Sequence, residues 1–161
     1  MKPLTLCCLA FVVMLALPLP AVTQEYDGTP AKSGQATVTF GGKDVALGAV
    51  EGGFQQMQGF TVATLVFKQG PKVGSTHLNL TLMYQGPGKV DLASQFSMSG
   101  LGMFADGDVA RFTKGKSTCT ITLTKATATD VEGTAECPLL HNISGEVMPA
   151  LTVRRFTAST K

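Results

Sequence analysis

Tryptophan is absent from this chain, which has two tyrosines and two histidines, and only 15% of its 161 residues are charged. Without Trp, avidin- and lipocalin-type barrels lose the residue they use at the barrel floor or ligand wall. The Cys…Trp…Cys arrangement of immunoglobulin domains is likewise excluded. Lys and Arg number 13 against 11 Asp and Glu, a net charge of +2 with no run of one sign. That balance offers no electrostatic footprint for nucleic acid or an anionic membrane. Disorder is excluded too, because Val, Leu and Phe are plentiful.

One long apolar run occurs, Leu4–Leu17, behind Lys2 and ahead of Pro18 and Pro20. It is too short to span a bilayer comfortably, and the prolines stop a helix where a span should continue. Residues 1–23 therefore read as a secretory signal peptide, cleaved between Ala21 and Gln24. Cys7 and Cys8 leave with it. The mature protein is expected in the periplasm or outside the cell, with no membrane span and a net charge of about +1. It keeps two of the four cysteines, Cys119 and Cys137, and an oxidising compartment favours a bridge between them. Two cysteines without clustered histidines do not make a four-ligand zinc site. No metal or cofactor is expected.

Residues 24–34 are polar and turn-rich and read as a flexible lead-in, followed by an all-β domain over 35–161. All 18 glycines follow the leader, and apolar residues alternate with a period of two almost throughout. A short helix over Val90–Phe96 is the one departure the pattern permits. In the first expected hairpin, Gly41-Gly42 forms the turn, pairing Phe40 with Lys43, Val38 with Val45 and Ala36 with Leu47. In the second, Gly59–Lys68 pairs with Thr76–Gln85, so that Val62, Thr64 and Val66 face inward with Leu78, Leu80 and Leu82. Phe67 then stands beside His77, and Asn79 lies on the polar face. The third sets Cys119 opposite Cys137, Ile121 opposite Ala135, Leu123 opposite Gly133 and Lys125 opposite Val131, with the threonines from Thr118 to Thr124 on the other side. Further strands are expected at Ser94–Met98, Val109–Thr113 and Ala150–Ala158, the last bulged at Arg154-Arg155. Pro138–Pro149 reads as a long connection. The fold class is a single antiparallel β-sandwich or small β-barrel of about eight or nine strands built from hairpins.

The chemistry-bearing residues are few. His77 and His141 lack a G-x-S-x-G elbow or any other activated nucleophile nearby in sequence. Asp106-Gly107-Asp108 lacks the further acidic ligands a calcium loop requires and reads as a turn. The methionines have no tight spacing and read as gap-filling core. The two asparagines, Asn79 and Asn142, each begin an N-x-S/T sequon and are N-glycosylation acceptors if the chain passes through a eukaryotic secretory pathway. Val50–Phe60 combines two Phe, a Met and three Gln without a cation. Phe54, Gln55, Gln56 and Met57 are accordingly candidate contacts if this segment is a surface loop, with Arg154 and Arg155 a second patch. The alternative is that Phe54 and Met57 close the end of the core.

These readings lead to an exported, non-catalytic β module that binds a protein, a glycan or an apolar ligand. A β-barrel carrier of a lipid or other apolar molecule is the alternative, and a secreted hydrolase built on His77 is a third. The bridge closes a loop of nearly twenty residues, worth about 3 kcal/mol on the chain-entropy model. Replacing both Cys119 and Cys137 by Ala should therefore lower the unfolding midpoint and leave the far-ultraviolet circular dichroism unchanged. Two free thiols in the intact mass of the secreted protein would contradict the bridge.

Overall fold

A computed structural model describes residues 28–70, 75–94 and 97–161. The signal peptide and cleavage point expected from the sequence lie outside the described residues. Within them the structure is entirely β, with strands β1 (Thr29–Pro30), β2 (Ser33–Phe40), β3 (Lys43–Leu47), β4 (Ala49–Met57), β5 (Phe60–Lys68), β6 (His77–Tyr84), β7 (Gly88–Val90), β8 (Gly100–Ala105), β9 (Asp108–Arg111), β10 (Thr118–Ala126), β11 (Asp130–His141), β12 (Val147–Met148) and β13 (Leu151–Ser159). All pairings are antiparallel, and the path runs β1-β4-β5-β6-β8-β9-β11-β13-β2-β3. Strand β10 pairs with β11 and β7, and β12 with β11. The end strands β1 and β3 do not pair, and the sheet is not closed into the small barrel the sequence admitted.

Three two-residue turns set the hairpins. Gly41-Gly42, Gln58-Gly59 and Asp106-Gly107 all have positive φ at both positions, the type I′ geometry whose twist matches that of the flanking strands. The first hairpin has the expected register, Ala36↔Leu47 through Phe40↔Lys43. That register continues past a bend to Pro30↔Gly53 and Thr29↔Phe54. One long hairpin thus serves two stretches of sheet, bending at Ala31-Lys32 on one arm and Gly48 on the other. At the bend Ala31 N donates to Gly52 O at 2.9 Å and Lys32 N to Ser159 O at 2.8 Å, so the described part of the expected lead-in, from residue 28, is joined to the sheet. Such divided strands, together with the short β7 and β12, raise the count to thirteen among the described residues.

The second hairpin differs from expectation by one residue. Phe67 pairs with Leu78, Leu65 with Leu80 and Ala63 with Leu82, and all six side chains are fully buried or nearly so. Both faces of β5 are apolar in sequence, and the long loop before β6 does not impose a register, so alternation alone does not choose between them. Phe67 thereby enters the core against Phe156, with ring centroids 6.3 Å apart. His77 faces outward instead.

The third hairpin matches over Ile121↔Ala135 and Leu123↔Gly133, and Cys119 is bonded to Cys137 across it with Cα atoms 3.9 Å apart. A bulge after Leu123 then moves Lys125 opposite Glu132 and Ala126 opposite Val131. Pro138 does not end β11 as expected. It sits where the β10 pairing jumps from Thr120↔Glu136 to Thr118↔Leu139, an irregularity that tolerates a residue without an N–H. Beyond it β11 continues to His141, pairing with β12 and, at His141, with Arg111 of β9. The last strand carries the expected break, between Val153↔Val38 and Arg155↔Thr37.

Neither the short helix nor the strand expected over 90–98 forms in the described part of that segment, and Gln95 and Phe96 lie outside the described residues. The Asp91 carboxylate accepts from the backbone N–H groups of Ala93 and Ser94, both at 2.9 Å, an Asx turn that competes with either element. The core is one cluster that draws on β2 to β11 and β13.

Gly133 shows how tightly that core is filled. A Cβ there would overlap the Thr122 carbonyl oxygen and lie 3.0 Å from Cζ of Phe156. Gly133→Ala should therefore destabilise by roughly 1–3 kcal/mol, the range for overpacked cores, as read by denaturant unfolding. An unchanged midpoint would refute this packing.

Candidate functional site

Alternation along each strand divides the residues of β4, β5, β6, β8 and β9 between the core and an outward face. Register then sets the outward residues in rows. One row runs Glu51, Val66, Asn79, Gly102, Arg111, and the next Gly53, Thr64, Thr81, Gly100. On one side lies Lys68, His77, Phe104, Val109, and on the other Gln55, Val62, Met83 and then Met57 with Phe60. The face therefore grades from an apolar end, where Met57 and Phe60 are 40% and 36% exposed, through a polar middle to an aromatic end.

At the aromatic end, the His77 imidazole stacks on Phe104 with centroids 4.9 Å apart and planes at 20°. Its Nδ1 lies 2.8 Å from the backbone oxygen of Ser75. In the middle, Asn79 and Arg111 are exposed, and neither side chain has a hydrogen-bond or ion-pair partner among the described residues. Between them Gly102 leaves the floor open, and a Cβ at Gly100 would meet nothing within 4 Å. Neither glycine has positive φ. A strand glycine with neither a steric nor a conformational reason is a place where another molecule can approach the backbone closely.

The residues singled out in the sequence divide. Val50–Phe60 is strand and turn, not a loop, and Phe54 is 1% exposed and belongs to the core, which removes it as a contact. Its parity explains why: Phe54 faces inward, while Gln55 and Met57 face outward. Gln56 donates from Nε2 to Thr61 Oγ1 at 2.9 Å. Arg154 and Arg155 diverge at the bulge, Arg154 pairing with Asp44 and Arg155 with Glu132, each at 2.9 Å. Asn79 is exposed, whereas Asn142 is locked into its turn, donating to Glu146 Oε2 at 2.6 Å and accepting from Glu146 N at 2.9 Å. Asp106 forms a turn and lies 3.6 Å from Lys43 Nζ. His141 is nearly buried, with Nδ1 3.1 Å from Ser117 Oγ. Ser117 Oγ also accepts from Thr113 N at 2.9 Å.

Sequence reasoning missed Arg111, Gly102 and Phe104. They come into line with Asn79 and His77 only through the β6–β8 pairing, which no turn specifies. Two surface clefts lie away from this face, and a third, of about 370 Å³, borders its apolar end at Phe60 and Met83. One of about 410 Å³ includes Ser33, Lys125, Asp130 and Ser159, and another of about 530 Å³ lies beside Lys89, Lys116 and Ser117. No protein-family model, curated protein or solved structure matches the chain.

In the first cleft the Asp130 carboxyl is held below the usual carboxylate range. Hydrogen bonds from Ser159 at 2.7 Å and Thr129 at 2.8 Å are the main causes, and Lys125 at 3.6 Å adds to them. A carboxyl with a depressed folded-state pKa contributes stability above its unfolded value of about 4 and loses it as pH falls through the folded value. Asp130→Asn should therefore destabilise at pH 7 and flatten the loss of stability below about pH 4. Parallel acid unfolding curves for the two proteins would contradict this. Tyr84 is raised, chiefly by burial and then by Asp130, and its hydroxyl donates to Thr127 O at 2.9 Å.

Proposed function

We propose that this protein is an exported, non-catalytic binding module, a β-sandwich whose working surface is the outward face of β4, β5, β6, β8 and β9. The supporting observation is the row Asn79–Gly102–Arg111, an exposed amide and guanidinium without side-chain partners among the described residues, flanking an open backbone floor. Exposed polar groups without such partners can hydrogen-bond a ligand without first breaking internal bonds, at the cost of ordering their side chains. The disulfide between Cys119 and Cys137 is compatible with an oxidising, exported compartment. No helix among the described residues is long and apolar enough to cross a membrane. The hydrolase reading loses support because His77 contacts a backbone carbonyl and a phenyl ring, with neither a hydroxyl nor a carboxylate as a partner among the described residues.

Nuclear magnetic resonance of the labelled mature protein tests this against a panel of soluble polysaccharides and a fatty acid. Polysaccharide-induced shifts should cluster at Thr64, Asn79, Thr81, Gly102 and Arg111. Shifts confined to core residues such as Leu78 and Leu80 on adding the fatty acid would favour an internal carrier and overturn the surface reading.

A further inference from the structure

Resting on that reading, we infer that the ligand of this face is an acidic glycan, a chain of uronic-acid units, with Arg111 holding a carboxylate. Neighbouring strands lie about 4.8 Å apart, so Asn79 and Arg111, on either side of β8, stand about 10 Å apart with Gly102 between them. That gap accepts one sugar ring lying close to the backbone. Arg111 is the outward cation of these strands that lacks an ion-pair partner among the described residues, since Lys68 is held by Glu51 at 2.6 Å. The two ends of β9 carry opposite charges, Lys114 and Lys116 in the turn after it and Asp106 and Asp108 at its start, so Arg111 is the cation within the face itself. An exposed guanidinium in the middle of the face selects an anionic group on the ligand. A planar guanidinium matches a carboxylate in a two-point hydrogen bond.

The remaining groups suit a sugar. The Asn79 amide offers a donor and an acceptor to adjacent hydroxyls, as the Thr81 hydroxyl does one row away. Along β8, Phe104 lies two residues from Gly102, about 7 Å, and its stack with His77 presents an aromatic surface for the apolar face of a neighbouring unit. A protein partner would need a larger apolar centre than this polar middle provides.

Calorimetric titration of the mature protein with polygalacturonate oligomers, their methyl esters and a neutral glucan tests the inference. The free acid should bind, with affinity falling as salt is raised, and the ester and neutral chains should bind at least ten-fold more weakly. Arg111→Ala should weaken binding of the acid at least ten-fold. Gly102→Val, which fills the floor, should abolish it, while Lys125→Ala, on β10 beside Asp130, should leave it unchanged. Unfolding curves for each variant separate lost binding from lost fold, and Arg111→Gln provides a second, milder removal of charge. Equal binding of acid, ester and neutral chains would overturn the acidic ligand and leave the binding face intact. Undiminished binding by Arg111→Ala and Arg111→Gln would overturn the assignment of Arg111. Absence of binding by the acid would overturn the inference.

Discussion

Strand register governs this molecule. A pleated strand gives each side chain only two directions, so a slip of one residue exchanges the core for the surface along its whole length. The long hairpin from β1 through β4 illustrates the constraint. A single turn at Gly41-Gly42 sets a register that holds from Phe40↔Lys43 to Thr29↔Phe54 across a bend. The same arrangement puts Phe54 in the core and Met57 in solvent. Strand β11 performs the complementary task, pairing with β13 before Pro138, with β9 and β12 after it, and with β10 on both sides of it.

The outward face follows from this geometry without any specialised loop. Once Leu78, Leu80 and Leu82 enter the core, Asn79 and Thr81 must point away from it, and Leu101 and Met103 expose Gly100 and Gly102 in the same way. The inner residues stabilise the sheet through burial, roughly 25 cal/mol per Å² of apolar surface. The outer row contributes little to that core, and Asn79 and Arg111 in it are exposed. Edge and turn groups elsewhere, such as Asp130, Asp44 and Glu132, are engaged by neighbouring hydroxyls and cations.

How much the sequence revealed depended on whether a short constraint fixed each register. A two-residue turn made Val38↔Val45 legible, and the cysteine pair did the same for Ile121↔Ala135. The bulge beyond Leu123 was not legible, because one extra residue leaves no signature among threonines and lysines. The β5–β6 pairing slipped because Val62, Thr64 and Val66 fit an inward face about as well as Ala63, Leu65 and Phe67 do. Proline misled at position 138, where a bulge absorbs its missing donor. Of the candidate site, Asn79 was correctly placed on an outward face. Its relation to Arg111 was out of reach, because β6 and β8 are separated in the chain by β7, which pairs with β10 instead.

The account stands on the alignment of β5, β6, β8 and β9, and cross-strand nuclear Overhauser contacts report it directly. They should join Leu65 to Leu80, Asn79 to Gly102 and Gly102 to Arg111. Contacts that instead place Thr64 opposite Leu80, or separate Gly102 from Asn79, would contradict it.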